Sequence, residues 1–184
     1  MKQTGEIILQ QADVRLLHDL PPSHRQWLCN SDSLTKRLYS EFSNKVSFQL
    51  RRAAWDSISE EERLALKLTR CQHHWVREID WHYRGQTWIT ARVIIPEGNK
   101  GQQTQQLLEA GNASIGDILF GEKQFKRNTM EIAKLPVSHP YYQLAQNQEK
   151  LMADYFWGRR SVFCRGKEKL LVSEIFLPAF FDFI

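Results

Sequence analysis

The sequence has 184 residues, of which 42% are hydrophobic, 11% aromatic and 25% charged, and this predicts one globular domain spanning 1–184 rather than a disordered chain. The formal charge of +4 is too small to indicate a nucleic-acid-binding protein by itself. No segment has the roughly 18 apolar residues that a membrane span requires, and Glu6, Asp13 and Arg15 interrupt the apolar N-terminus, which excludes a signal peptide.

The three cysteines, Cys29, Cys71 and Cys164, are far apart and form no CxxC pair. An odd number of scattered cysteines argues against a disulfide framework. It favours a reducing compartment, and we expect a cytoplasmic protein.

The first predicted elements are two short helices and a strand. One helix begins at Pro22, and the next contains Leu34 and Leu38, which lie four residues apart on one helical face. From Val46 the hydrophobic period changes to two, which predicts a half-buried strand. Residues 57–67 are charged and compatible with a helix or a loop.

Two pairs of alternating runs predict β-hairpins. Residues 72–83 and 87–95 are joined by a short connection around Gly85, and residues 157–164 and 170–177 are joined around Gly166. Between the hairpins we expect a helix over 102–110, a short turn or helix over 114–120, weak alternation over 125–133 and a polar, helix-compatible stretch over 141–155.

Hairpins with helices inserted between them predict an α+β fold, with a single antiparallel sheet and helices on one side. The chain shows no βαβ rhythm and neither a GxGxxG nor a GxxxxGK[ST] motif. A nucleotide-binding fold is therefore disfavoured.

Two charged residues fall on strand faces that should meet the core. Arg77 shares its face with Trp75, Ile79 and Trp81, and Glu174 shares its face with apolar neighbours such as Phe176. Burying either charge without a partner would cost several kcal/mol. Either the two residues form a structural ion pair, or they line a closed pocket in which the guanidinium grips the carboxylate of a flat aromatic ligand.

Other candidates are weaker. His73 and His74 are adjacent, so on a strand they point to opposite faces, and no metal motif accompanies them. Cys164 has little claim as a nucleophile. Arg159 and Arg160 are either solvated, or one of them supplies a second positive charge to a dianionic ligand.

The motifs in order resemble the chorismate pyruvate-lyase family, which makes 4-hydroxybenzoate for ubiquinone biosynthesis in bacteria. They are DSLTKR (32–37), WVREI (75–79), IG (115–116) with LF (119–120), WGRRS (157–161) and LVSEIFLP (171–178). The likeness implies a lyase that eliminates pyruvate from chorismate, with helical flaps over a buried ligand pocket. By resemblance, Arg77 holds the carboxylate of the product, Glu174 lies at its hydroxyl end, and Leu34 and Ile115 line the pocket, where the family commonly has Met and Leu. Residues 136–156 form a longer stretch than the family's usual loop.

We expect a monomeric enzyme that contacts no nucleic acid and, because aromatisation of the ring drives the reaction, uses no cofactor and no metal. The resemblance also implies tight retention of the product and inhibition by it. Chorismate is a dianion, and Arg159 or Arg160 is the expected second anion site, for the enolpyruvyl carboxylate. Whether Glu174 orients the hydroxyl or acts as a general base or acid stays open.

The competing hypothesis is a non-catalytic module that binds a small aromatic acid. By resemblance, the same fold occurs in the effector-binding domains of bacterial repressors, which carry an N-terminal winged helix. Here the likeness begins near Trp27, which leaves too few residues for that DNA-binding domain. A third hypothesis is an inactive relative in which Arg77 and Glu174 form a structural pair.

Overall fold

The computed structural model describes residues 17–18, 20–69, 73–111, 115–121, 125–146 and 153–184. Six strands form one antiparallel sheet in the order β1-β2-β3-β6-β5-β4. The strands are β1 (Val46–Asp56), β2 (His74–Tyr83), β3 (Gln86–Ile95), β4 (Lys126–Pro136), β5 (Tyr155–Arg165) and β6 (Glu168–Phe176). The helices are α1 (Pro22–Leu28), α2 (Leu34–Phe42), α3 (Glu60–Leu66), α4 (Gln102–Glu109), α5 (Gly116–Phe120), α6 (Pro140–Gln146) and α7 (Pro178–Phe181).

Both predicted hairpins are confirmed, as the pairs β2–β3 and β5–β6. The β2–β3 turn consists of Arg84 and Gly85, with φ of 50° and 80°, and two positive φ values match the twist of a tight hairpin. The hairpins join where β3 pairs with β6, which places the two strands that follow each turn at the centre of the sheet.

The cross-strand pairing aligns inward-facing residues in rows across the sheet. In one row, Arg77 is opposite Val93, Val93 is opposite Val172, and Val172 is opposite Ser161. In the neighbouring row, Ile79, Ala91, Glu174 and Arg159 follow one another from β2 to β5. The two rows bring charged residues from three strands, Arg77 of β2, Glu174 of β6 and Arg159 of β5, onto one face.

The prediction that helices cover only one side of the sheet is wrong. Helices α1, α2, α4, α5 and α7 pack on the face that carries Val93 and Val172, whereas α3 and α6 pack on the opposite face. The physical reason is that the central strands are apolar on both faces: Ile94 and Leu171, next in sequence to the valines, are fully buried under α3.

The face under α3 and α6 is held by a buried polar network. Glu62 of α3 is 2% exposed and accepts from Arg92 Nε at 2.7 Å and from the Tyr141 hydroxyl at 2.9 Å. Burial and the nearby Glu62 carboxylate raise the pKa of Tyr141 well above its ordinary value, so the phenol stays protonated and donates. This network explains why the charged segment 57–67 forms a helix without an apolar stripe.

The remaining elements largely follow the sequence. The short helices around Trp27 and Leu34 and the helix over 102–110 are confirmed. The strand at Val46 runs on to Asp56, and the polar stretch over 141–155 contains α6 and the start of β5, with 147–152 outside the described residues. Cys29 and Cys164 are free thiols, while Cys71 lies outside the described residues. In the part of the chain that the structure describes, no helix is long and apolar enough to cross a bilayer.

Candidate active site

A partly enclosed cavity of about 50 Å³ lies between the sheet and the N-terminal regions of α2 and α5. Its wall is mostly apolar, with one guanidinium and one carboxylate, which is the composition expected for a small ligand with polar ends. The sheet contributes Ile79, Trp81, Ala91, Val93, Arg127, Phe163, Val172 and Glu174. The helical side, here called the roof, contributes Ser33, Leu34, Thr35, Ile115, Gly116, Leu119 and Phe120.

A larger groove of about 460 Å³ is open to solvent between the C-terminal segment and strands β4 and β5, where Lys134 and Trp157 line it. It contains none of the residues that the sequence singles out for the site. The partly enclosed cavity is therefore the candidate active site, because Leu34, Ile115 and Glu174 line it and partial enclosure strengthens polar contacts.

The two parts of the roof meet at Gly116. A Cβ atom at this position would lie 3.1 Å from the hydroxyl oxygens of both Ser33 and Thr35, so any other residue would require these side chains to shift by a few tenths of an ångström. Ser33 is itself fixed, because its hydroxyl accepts from the backbone N–H of Lys36 at 3.3 Å and caps α2. Leu34 and Ile115 are thereby held side by side over the sheet.

Glu174 forms an ion pair with Arg159, which lies directly opposite it on β5. The Arg159 side chain is 1% exposed, and its Nε donates to the carboxylate. Its Nη1 donates to the carbonyl oxygens of Trp27 at 3.0 Å and Asn30 at 2.8 Å. The same guanidinium therefore orients the carboxylate in the cavity wall and anchors the connection that leads into α2.

Arg77 lies on the same face as the cavity, in the row of Val93 and Val172, and is 3% exposed. Its Nη2 donates to the carbonyl oxygen of Gly111 at 3.0 Å, just beyond α4. Burial lowers the pKa of the Arg77 guanidinium, yet an arginine remains charged at neutral pH. A buried positive charge next to an apolar cavity favours an anionic ligand.

Arg127 of β4 is the guanidinium that lines the cavity, and the sequence analysis missed it. Burial lowers the pKa of its guanidinium, attraction to Glu174 opposes this change and repulsion from Arg159 adds to it. Its weakly alternating strand gave no sign that it faces inward, because the pairing register shifts between Arg127 and Thr129.

The structure places Arg159 and Arg160, one of which was expected to be the second anion site, on opposite faces of the sheet. Arg160 points to the opposite face of the sheet, where it pairs with Glu61 and Glu131, each at 2.7 Å. Neighbouring residues on a strand alternate faces, so only Arg159 is on the side of the cavity. The proposed structural pair between Arg77 and Glu174 is replaced by the pair of Glu174 with Arg159.

The described part of this face thus carries three guanidiniums, from Arg77, Arg127 and Arg159, against the one carboxylate of Glu174 in the cavity wall. This excess of positive charge suits a dianion. Among the described residues, no group of three or more His, Cys, Asp or Glu side chains could hold a metal ion.

Comparison with known proteins gives one consistent family. A family model, Chorismate lyase, matches residues 5–183. The chain is 35% identical over 159 residues to a Coxiella burnetii protein named "Probable chorismate pyruvate-lyase", an alignment that covers 86% of this chain and 85% of that protein. It is 33% identical over 164 residues to a protein of the same name from Pseudomonas savastanoi pv. phaseolicola, covering 89% and 84% of the two chains.

Among solved structures, the fold is similar to that of a GntR-family transcriptional regulator from Bacillus cereus. The TM-score is 0.55, the sequences are 12% identical, and the match covers 74% of this chain and 94% of that one. At this identity the likeness concerns the fold alone, an antiparallel sheet with helices.

Proposed function

This chain belongs to the chorismate lyase family, and we propose that its partly enclosed cavity is where pyruvate is eliminated from chorismate to give 4-hydroxybenzoate. The observation that carries the proposal is the placement of Glu174 in the wall of an apolar cavity, on the sheet face that also buries Arg77. These are the two residues to which the family resemblance assigns the ends of the product.

The reaction breaks the bond between the ring and the enolpyruvyl oxygen and removes a proton from the adjacent ring carbon, which bears the hydroxyl. The ring becomes aromatic, and enolpyruvate takes up a proton to become pyruvate. Aromatisation drives this step, so no redox partner is required. The protein has to hold the two carboxylates, position the hydroxyl and keep water out.

Arg77 holds the ring carboxylate. Its planar fork can form two parallel hydrogen bonds to a carboxylate, and such charge-assisted bonds are roughly twice as strong as neutral ones. Leu34 and Ile115 lie in the roof and cover the ring from the helical side. Arg77 is not among the residues that line the cavity but lies on the same sheet face, where its Nη2 donates to the Gly111 carbonyl oxygen.

Glu174 meets the hydroxyl end. Its carboxylate is held by Arg159, so it faces the ligand as an acceptor with a fixed orientation. It is the one carboxylate among the described residues that line the cavity. If a protein group removes the ring proton, Glu174 is the residue placed to do so.

The roof acts as a pair of flaps. The cavity of about 50 Å³ is smaller than the cavity of about 150 Å³ that accommodates benzene in an engineered protein. Entry of a substituted ring therefore requires the segments that carry Leu34 and Ile115 to move apart and close again.

We further propose that the chain acts as one domain and as a monomer in the cytoplasm, without a cofactor. The free thiols of Cys29 and Cys164 suit a reducing compartment.

The test is incubation of the purified protein with chorismate, with 4-hydroxybenzoate followed by absorbance and pyruvate by a coupled assay. We expect the two products in equal amounts, from a chain extensively dialysed against chelator. Binding of 4-hydroxybenzoate without any formation of pyruvate would contradict the lyase function and support the alternative, a small-molecule binding domain.

A further inference from the structure

The proposed function leaves one negative charge of the substrate without a partner. Chorismate carries a carboxylate on the ring and a second one on the enolpyruvyl group, while 4-hydroxybenzoate keeps only the first. The enolpyruvyl group is attached next to the hydroxyl-bearing carbon, so its carboxylate must lie near the Glu174 end of the cavity. A cation is needed there, because a buried carboxylate without a partner is costly.

Arg127 is at that end of the cavity. Its Nη1 donates to the Ser161 hydroxyl and lies 3.4 Å from the Met130 sulfur, and its guanidinium stacks 4.7 Å from the centre of the Phe163 ring. Its Nε is buried and has no hydrogen-bond partner, and it forms no ion pair with any carboxylate that the structure describes. The stack and the Ser161 contact hold the guanidinium in place, while part of its hydrogen-bonding capacity stays unused.

The geometry places Arg77 and Arg127 at opposite ends of the site. Arg77 and Ser161 stand in one row of the sheet with Val93 and Val172 between them, and Arg127 donates to Ser161. Three inter-strand spacings separate the ends of that row, about 14 Å at the backbone. Both guanidiniums therefore reach toward a common apolar floor, in the arrangement that a substrate with two separated carboxylates requires.

The other two candidate cations are placed less well. Nε of Arg159 donates to Glu174 and its Nη1 donates to two backbone carbonyl oxygens. Its Nη2 is buried without a hydrogen-bond partner among the described residues, but Arg159 does not line the cavity. Arg160 lies on the far face with Glu61 and Glu131. We propose that Arg127, rather than Arg159 or Arg160, holds the enolpyruvyl carboxylate of chorismate and so distinguishes the substrate from the product. This inference rests on the proposed function.

The test compares chorismate with 4-hydroxybenzoate in Arg127→Gln and Arg127→Lys. Because the product lacks the enolpyruvyl group, Arg127→Gln should lower kcat/KM for chorismate about 30-fold or more, while the Kd of 4-hydroxybenzoate changes less than threefold. Arg127→Lys keeps the charge but loses the fork, so kcat/KM should fall less. Arg52→Gln is the matched control, since it removes one positive charge from an exposed position on β1 and should change neither constant.

Failure of the Arg127 inference and failure of the proposed lyase function give different results. Equal weakening of chorismate and 4-hydroxybenzoate in the Arg127 variants would overturn the inference, as would an unchanged kcat/KM. If Arg127→Gln does not fold, the Lys variant decides by the same comparison of the two ligands. A wild-type chain that forms no pyruvate refutes the proposed function directly, before any variant is compared.

Discussion

Glu174 and Arg159 lie opposite each other on β6 and β5 and form an ion pair, in which Glu174 belongs to the cavity wall and Arg159 lies behind it. Arg159, and not Arg77, therefore balances the charge of Glu174. Arg159 also donates hydrogen bonds to the carbonyl oxygens of Trp27 and Asn30. One guanidinium therefore holds both the Glu174 carboxylate and the connection into α2. The orientation of the Glu174 carboxylate and the position of the roof over the sheet therefore depend on the same side chain.

We expect Arg159→Gln to destabilise the protein strongly. It leaves the Glu174 carboxylate without its charged partner in a buried site, and breaking such a pair typically costs about 3–5 kcal/mol. Urea unfolding measures the loss. The control is Arg165→Gln, because Arg165 pairs with Glu168 with a third of its side chain exposed, and exposed pairs contribute about 1 kcal/mol or less. Similar losses of unfolding free energy in the two variants would show that the buried pair stabilises the protein no more than the exposed pair does.

Arg77 tests the carboxylate end of the site. Arg77→Ala should weaken the binding of 4-hydroxybenzoate by about 2–5 kcal/mol, because the ligand carboxylate then has no cation to meet. Arg77→Lys keeps the charge without the planar fork and should fall between wild type and Ala. Isothermal titration calorimetry gives the affinities, with Arg52→Ala on exposed β1 as the control. Unchanged affinity in a folded Arg77→Ala protein would remove Arg77 from the ligand site.

Much of this site follows from strand periodicity. A period of two places Arg77 and Glu174 on inward faces of the hairpins, and both are buried in the structure. The partner of Glu174 could also have been found. A two-residue turn after Arg165 puts that residue opposite Glu168, and counting back along both strands then brings Arg159 opposite Glu174.

The position of Arg127 and the second helical layer could not be predicted from the hydrophobic periodicity. Arg127 lies on an edge strand whose register shifts beside it, so its side-chain direction cannot be counted from the alternation. The second helical layer was missed because α3 is held by polar contacts. Its buried Glu62 meets Arg92 and Tyr141, whose positions depend on pairing between distant parts of the chain.

Glu174→Gln separates the two roles that the sequence left open. Glutamine keeps the shape and a hydrogen bond to Arg159 but does not accept the ring proton. We expect the single-turnover rate to fall about 10²-fold or more, the usual size of a general-base contribution, with less than a tenfold change in the Kd of 4-hydroxybenzoate. Single-turnover conditions are needed because slow product release, which we expect here, would hide the chemical step. If Glu174→Gln keeps the full single-turnover rate, Glu174 only orients the hydroxyl and is not a general base.

Removal of metal ions should leave the activity unchanged. The described residues contain no cluster of three metal-ligating side chains, and the elimination is driven by aromatisation of the ring. Activity is measured after exhaustive dialysis against EDTA, and again after Mg²⁺, Mn²⁺ or Zn²⁺ is added. Loss of activity on dialysis, with recovery on addition of one ion, would contradict the mechanism.

The last prediction concerns retention of the product. The cavity is covered by a roof whose two parts meet at Gly116, so a ring bound inside it would keep its apolar contacts and the proposed contact with Arg77 after pyruvate has formed. The family resemblance points to the same property, inhibition by the product. We therefore expect 4-hydroxybenzoate to inhibit at low concentration and to raise the unfolding temperature.

A thermal scan with two ligands measures how much of this retention depends on Glu174. A ligand that binds only the folded state adds about 2.7 kcal/mol at a hundredfold excess over its Kd, which corresponds to a Tm shift of about 5–10 °C for a chain of this size. Benzoate lacks the hydroxyl that meets Glu174, so it should shift Tm markedly less at the same concentration. In Glu174→Leu the two ligands should become alike, because the variant removes the acceptor that tells them apart. Equal shifts in the wild-type protein would place the hydroxyl end away from Glu174, and no shift with either ligand would show that the cavity does not bind the product.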